Sequence, residues 1–173
     1  MNGFDLDKYI NTTQDFPKKG ILFRDISPLL ENHKAITNVI DIFEEKARSL
    51  NADLIAGIES RGFLFSTLLA SRLEIGSFMI RKPGKLSGDL IEKSYSLEYG
   101  ESKLSIQKSK NITNKKVIII DDLIATGGSL ACAESLINEA KAKVIGCFVL
   151  IELSELNGSN LIDSDIFSIK KYW

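Results

Sequence analysis

Apolar residues fall into short runs divided by polar or glycine-bearing turns, and the runs alternate between two lengths. "LIAGIE" (Leu54–Glu59), "GSFMIRK" (Gly76–Lys82), "KVIIIDD" (Lys116–Asp122) and "AKVIGCFVLIEL" (Ala142–Leu153) have strand length and little polar interruption. Such runs read as strands, "LIAGIE" as a buried one and "KVIIIDD" as one fully buried on both faces. Helix-length patterns lie around and between them. "HKAITNVIDIFEEKARSL" (His33–Leu50) is amphipathic, and "GFLFSTLLASRL" (Gly62–Leu73) is long enough for a helix. Leu130, Ala133, Leu136, Ile137 and Ala140 recur at helical spacing, with polar residues between them. Strands alternating with helices imply βαβ units, hence an α/β fold with a mostly parallel central sheet flanked by helices.

The segment Lys82–Lys108 breaks the alternation. It carries Pro83, several glycines and lysines, and period-two patterning in parts. It reads as a hairpin or flap carried outside the sheet, and long excursions of this kind are often lids.

The chain has 173 residues, 44% of them hydrophobic and 26% charged, which suits one domain with a sizeable core. Its net charge of −1 offers no electrostatic footprint for nucleic acid. No apolar run approaches bilayer length, and "MNGFDLDKYI" reads as no signal peptide. The two cysteines, Cys132 and Cys147, lack metal-type spacing and are expected to sit reduced, as core, in the cytoplasm. A single histidine, His33, argues against a histidine-based metal site or a Ser–His–Asp triad.

The candidate chemistry concentrates in "VIIIDDLIATGGSL" (Val117–Leu130). Ligands of open α/β sheets bind beyond the carboxyl ends of strands. Asp121 and Asp122 stand at such an end and are expected to emerge into a polar cleft, because burying adjacent carboxylates is costly. Acids accept hydrogen bonds from hydroxyls, and a ribose offers two vicinal ones. Ala125, Thr126, Gly127, Gly128 and Ser129 then lead into a helix. The glycines let main-chain N–H groups converge, Thr126 and Ser129 add hydroxyls, and the helix start adds its dipole. Together these describe a pocket for ribose 5-phosphate. The stretch has neither the Gly-Lys-Ser/Thr of a P-loop nor GxGxxG, so triphosphate and dinucleotide turns are not supported.

"VIIIDDLIATGGS" resembles the phosphoribosyl-pyrophosphate signature of the type I phosphoribosyltransferases. "DFPKKGILFRDISPLL" (Asp15–Leu30), "GIESRGFLF" (Gly57–Phe65), "IRKPGKLSG" (Ile80–Gly88) and "SYSLEYG" (Ser94–Gly100) are similar, in order and spacing, to segments of the adenine-specific branch of that family. The resemblance covers nearly the whole chain. It implies one domain, residues 1–173, with an N-terminal hood over the base (1–32) and a mobile flap (83–107). It also implies transfer of a phosphoribosyl group from 5-phosphoribosyl 1-pyrophosphate to adenine, with AMP and pyrophosphate as products.

Site residues follow from the same resemblance. Glu59, Ser60 and Arg61 would face pyrophosphate, with the Glu59–Ser60 peptide cis. Arg81, Lys82 and Lys85 would add countercharge, and an arginine fork suits phosphate oxygens. Ser87 stands where the family commonly has proline. Main-chain groups of Leu22 and Arg24 would read the edge of adenine. Phe23 either stacks on the base or fills core, and Leu123 would wall the ring. On the flap, Glu98 would manage a purine proton and Tyr99 would close over the sugar. Mg²⁺ would be held mainly through the sugar substrate, and a homodimer is implied, with no nucleic-acid or membrane partner. Two other readings share the sugar-phosphate motif: a phosphoribosyltransferase for a 6-oxopurine, and a regulator that senses phosphoribosyl pyrophosphate.

Overall fold

The computed structural model describes residues 4–97, 100–109 and 111–173, and the chain divides into two units, Met1–Ile42 and Phe43–Trp173. The first unit opens with a 3-10 turn, Leu6–Tyr9. Strands β1 (Asn11–Gln14) and β2 (Leu22–Asp25) follow and pair antiparallel. Their connection holds Asp15 at φ 59°, with its carboxylate accepting from Gly20 N at 2.6 Å. Just before the short helix α1 (Ser27–Leu30), Asp25 accepts from Ser27 N at 2.9 Å, and Pro28 sits in the helix's first turn. The Asn32 side chain accepts from Ala35 N at 3.0 Å where helix α2 (His33–Arg48) begins. His33 is exposed at that helix start.

The second unit contains β3 (Leu54–Ile58), α3 (Gly62–Arg72), β4 (Gly76–Ile80), β5 (Leu90–Leu97), β6 (Gly100–Gln107), β7 (Lys116–Ile124), α4 (Gly128–Glu139), β8 (Lys143–Leu153) and β9 (Ile166–Tyr172). Five strands form one parallel sheet in the order β4-β3-β7-β8-β9. This is the α/β architecture that the hydrophobic pattern predicts. β7 is flanked on both sides, and its Val117, Ile118, Ile119 and Ile120 are each 0% exposed. Burying each such side chain contributes roughly 1.5–3 kcal/mol. α3 packs on β3 and β7, and α4 on β7 and β8. Cys132 and Cys147 are free thiols in this core.

Two features differ from the sequence reading. β9 is a fifth parallel strand that the hydrophobic pattern does not announce. Its residues are mostly half-buried at a sheet edge, and Lys170 and Lys171 interrupt the apolar alternation. The 82–108 excursion does form a separate hairpin, β5 with β6, but it is not remote from the core. Leu104 and Ile106 belong to the main apolar cluster, at 1% and 0% exposure. Ser105 and Arg81 exchange main-chain bonds of 2.9 and 2.7 Å, which ties β6 to the end of β4. Lys93 reaches α4 through Ser135 Oγ (2.6 Å) and Glu139 (3.0 Å).

Candidate active site

Three strand ends of the second unit converge on one cleft of about 330 Å³. β3 ends at Ile58, and the Glu59–Ser60 peptide that follows is cis, as the resemblance implies. α3 then begins at Gly62 hard against β7. A Cβ at Gly62 would stand 2.5 Å from Ile120 O and 3.3 Å from Asp121 Cα, so only glycine lets the two main chains come this close. The result sets Arg61 beside the paired acids. Its Nη2 lies 3.0 Å from Asp122 Oδ2.

Of the sequence-predicted residues, Glu59, Ser60, Arg61 and Lys82 line the cleft, and so do Asp121, Asp122, Leu123 and Ser129. Ile58, Tyr95 and Leu104 complete the wall, and none of these three was singled out by sequence. Tyr95 carried a usable signal. In β5, Ile91, Lys93 and Tyr95 are half-buried while Glu92 and Ser94 are exposed, the period of a strand with one covered face.

Arg81 and Lys85 do not line this cleft. Arg81 Nε lies 3.2 Å from Glu59 Oε2, its Nη1 donates to Lys85 O at 3.1 Å, and its guanidinium sits 5.8 Å from the Phe63 ring centre. Glu59 Oε2 also accepts from Lys82 N at 2.9 Å. Burial raises the Glu59 pKa, yet the Lys82 amide and the Arg81 guanidinium outweigh it and hold the carboxyl below its usual range. Glu59 is therefore an anionic anchor that fastens the 81–85 segment to the end of β3.

The acids line the polar cleft as expected, but they do so from within the strand and largely buried rather than beyond its end. β7 continues to Ile124, with Leu123 and Ile124 paired to Ile151 and Glu152 of β8. Asp121 and Asp122 consequently lie within the strand, 8% and 5% exposed. Asp121 Oδ1 accepts from Asp122 N at 2.9 Å. Burial, and next the charge of Asp122, push Asp121 well above the usual carboxylate range. Burial also raises Asp122, against the opposing pull of Arg61. A buried acid pair with one guanidinium at its mouth is an unbalanced charge cluster of the kind that functional sites collect.

From Ala125 the chain turns into α4. Gly127 sits at φ 82°, left-handed, and offers no side-chain cap to the helix. Of this turn, Ser129 reaches the cleft wall.

Residues 25–171 match the model of the phosphoribosyl transferase domain. An adenine phosphoribosyltransferase from Synechococcus is 42% identical, across 96% of this chain and 95% of its own length. The chain belongs to the phosphoribosyltransferase family.

Solved structures of phosphoribosyltransferases agree. The adenine phosphoribosyltransferase of Thermoanaerobacter pseudethanolicus superposes with a TM-score of 0.93 at 39% identity, covering 96% of this chain and 98% of its own. That of Saccharomyces cerevisiae, complexed with adenine and an imino-altritol bisphosphate, superposes with a TM-score of 0.91 at 37% identity, covering 95% and 96%.

Within this phosphoribosyltransferase, Leu22, Phe23 and Arg24 lie in β2 of the first unit. Leu22 is exposed, and Phe23 is half-buried, its ring edge-on to Phe16 at 5.0 Å between centres. Glu98 and Tyr99 lie outside the described residues. No helix among the described residues is long and apolar enough to cross a membrane.

Proposed function

We infer that this phosphoribosyltransferase transfers the 5-phosphoribosyl group of 5-phosphoribosyl 1-pyrophosphate to adenine, giving AMP and pyrophosphate in purine salvage. One observation carries the reading: the paired acids Asp121 and Asp122, the cations Arg61 and Lys82, and Ser129 share a single cleft at the strand ends. Relatives named for the adenine reaction across nearly the full chain support it.

Breaking the anomeric bond builds oxocarbenium-like charge on the ribose. Asp121 and Asp122 hold the sugar hydroxyls and keep negative potential near that charge. The 125–129 turn takes the 5-phosphate through main-chain N–H groups, Thr126 and Ser129. Arg61 and Lys82 take the charge that develops on the departing diphosphate, with Ser60 beside them. Holding base and sugar in line can supply about 7–11 kcal/mol. Leu22 and Arg24 main-chain groups read the base, because an N–H and a C=O demand opposite partners and an unmatched buried group costs about 1–3 kcal/mol. Leu123 gives the ring an apolar wall. Glu98 manages the purine proton, and Tyr99 with the rest of the hairpin keeps water from the activated sugar.

The carboxylate oxygens of Asp121 and Asp122 are hard donors of the sort Mg²⁺ takes, and buried Asp122 Oδ2 has the Arg61 ion pair at 3.0 Å but accepts no hydrogen bond. Mg²⁺ carried on the diphosphate would be held there and would neutralise leaving-group charge. The same reading makes the enzyme a cytoplasmic homodimer in which the Arg81–Lys82 pair approaches pyrophosphate partly across the interface.

A spectrophotometric assay with adenine, hypoxanthine and guanine, each with phosphoribosyl pyrophosphate and Mg²⁺, tests the assignment. Adenine is expected to give AMP at least about a hundredfold faster than either 6-oxopurine, since two mismatched base contacts multiply. Faster turnover of hypoxanthine or guanine would move the chain to the 6-oxopurine class. No turnover of any base, together with phosphoribosyl-pyrophosphate-dependent retardation of DNA, would make it a regulator.

A further inference from the structure

We propose that Gly158 and Glu134, neither of which lines the cleft, are positioning residues that set the shape of the 125–129 turn and hence affinity for the sugar phosphate. The inference rests on reading that turn as the 5-phosphate cradle. The connection from β8 to β9 contains a 3-10 turn, Gly158–Leu161. Its main chain lies directly against the main chain of the cradle. A Cβ at Gly158 would fall 2.6 Å from Gly127 N and 2.7 Å from Thr126 C, and would also strike Ala125 O. A Cβ at Gly127 would strike Gly158 O and lie 2.9 Å from Gly158 C. Two glycines thus face each other with no side chain on either, and every atom that would have to yield is backbone. Gly158 has no left-handed φ, so close approach alone demands glycine there.

The other end of the same connection is fastened to α4. Glu134, 5% exposed, accepts from Asp163 N (2.9 Å), Ser164 N (3.0 Å) and the Ser164 hydroxyl. A buried carboxylate satisfied by main-chain N–H groups is a firm anchor. The helix that begins at the cradle therefore holds, by its own side chain, the loop that presses back on the cradle through Gly158. Donors that must meet a phosphate tolerate little displacement, and a shift on the order of 1 Å in such a group can cost about a hundredfold.

The test measures KM for each substrate, and Kd for AMP by calorimetry, in the parent enzyme and in Thr126→Val, Gly158→Ala and Glu134→Gln. Gly158→Ala is expected to raise KM for phosphoribosyl pyrophosphate and Kd for AMP by about tenfold or more, with KM for adenine within about twofold. Glu134→Gln, which keeps the side-chain volume, is expected to move the same two quantities severalfold. A merely structural role would lower the active fraction, seen as reduced kcat with both KM values unmoved, and would overturn the inference. If Gly158→Ala does not fold, parent values in Glu134→Gln alone overturn it. Thr126→Val separates the two levels of argument. If that substitution leaves AMP binding unchanged, the cradle reading itself is wrong. If it weakens AMP binding while Gly158→Ala and Glu134→Gln do not, only the positioning role falls.

Discussion

Asp121→Asn is expected to melt about 2–4 °C above the parent enzyme at pH 7, while kcat/KM for phosphoribosyl pyrophosphate falls by at least about a hundredfold. The stability gain follows from where the carboxylate sits. Asp121 is 8% exposed and adjoins a second buried acid. Burial first, and the charge of Asp122 second, raise its pKa well above the ordinary 3.8. A raised carboxyl pKa means the folded state prefers the protonated form. That preference is fully present below pH 3.8 and is lost as pH rises through the folded-state value. At neutral pH, well above the unfolded value, Asp121 is therefore a net cost to the fold relative to a neutral side chain of the same shape. Asparagine removes the charge yet keeps an oxygen to accept from Asp122 N, the bond that spans 2.9 Å in the parent. The gap in melting temperature should therefore narrow toward zero as pH approaches 3.8. Thermal melts from acid to neutral pH, run beside steady-state kinetics, check both halves. A melting temperature equal to or below that of the parent at pH 7 would mean the acid pair is better compensated than its burial suggests. Unchanged turnover would mean the ribose lies elsewhere.

How far the sequence reveals this arrangement depends on how local each feature is. β3, β7 and β8 announce themselves as apolar runs because both their faces are covered, whereas the shorter apolar run of β4 lies at one sheet edge and buries only Ile80 fully. β9 does not announce itself, since an edge strand carrying Lys170 and Lys171 has no such constraint on its pattern. The acids and the glycine turn are legible because they are contiguous and chemically specific. Their burial is not, because nothing within Asp121–Asp122 says that β7 will run on to Ile124 against β8. Arg81 shows the same limit from the other side. Sequence displays its charge, but only folding brings Glu59 and Lys85 O to claim the guanidinium. Glu134 and Gly158 matter through partners roughly thirty residues away, and a reading of neighbouring residues has no access to them. Sites assembled from contiguous motifs are visible early, while the supports that aim them become visible only in three dimensions.

Arg61→Ala is expected to lower kcat/KM for phosphoribosyl pyrophosphate by at least about a hundredfold and to destabilise the fold by about 1–2 kcal/mol at pH 7. Both effects come from one ion pair. Arg61 Nη2 lies 3.0 Å from Asp122 Oδ2, and the two side chains are 39% and 7% exposed. The arginine is open enough to water that the loss should be well below the roughly 3–5 kcal/mol of a fully buried pair. On the proposed mechanism the guanidinium must transfer its attention from Asp122 to the diphosphate, leaving the carboxylate to the sugar. The ion pair thus keeps Asp122 partnered until the anionic substrate replaces the acid as the partner of Arg61. The two consequences separate under further substitution. Removing Arg61 lifts an opposing influence on Asp122, whose pKa burial already raises. The stability penalty is therefore present above the folded-state pKa of Asp122 and fades as pH falls through it. Adding Asp122→Asn removes the orphaned charge, so the double variant should recover most of the lost stability and none of the lost activity. Arg61→Lys should restore part of the stability but little of the rate, because an ammonium neutralises the acid without offering a fork to two phosphate oxygens. Urea unfolding of five proteins (parent, Arg61→Ala, Asp122→Asn, the double variant and Arg61→Lys), paired with kinetics at varied phosphoribosyl pyrophosphate, completes the cycle. A double variant that regains activity along with stability would show that Arg61 acts only on Asp122 and never on the departing diphosphate.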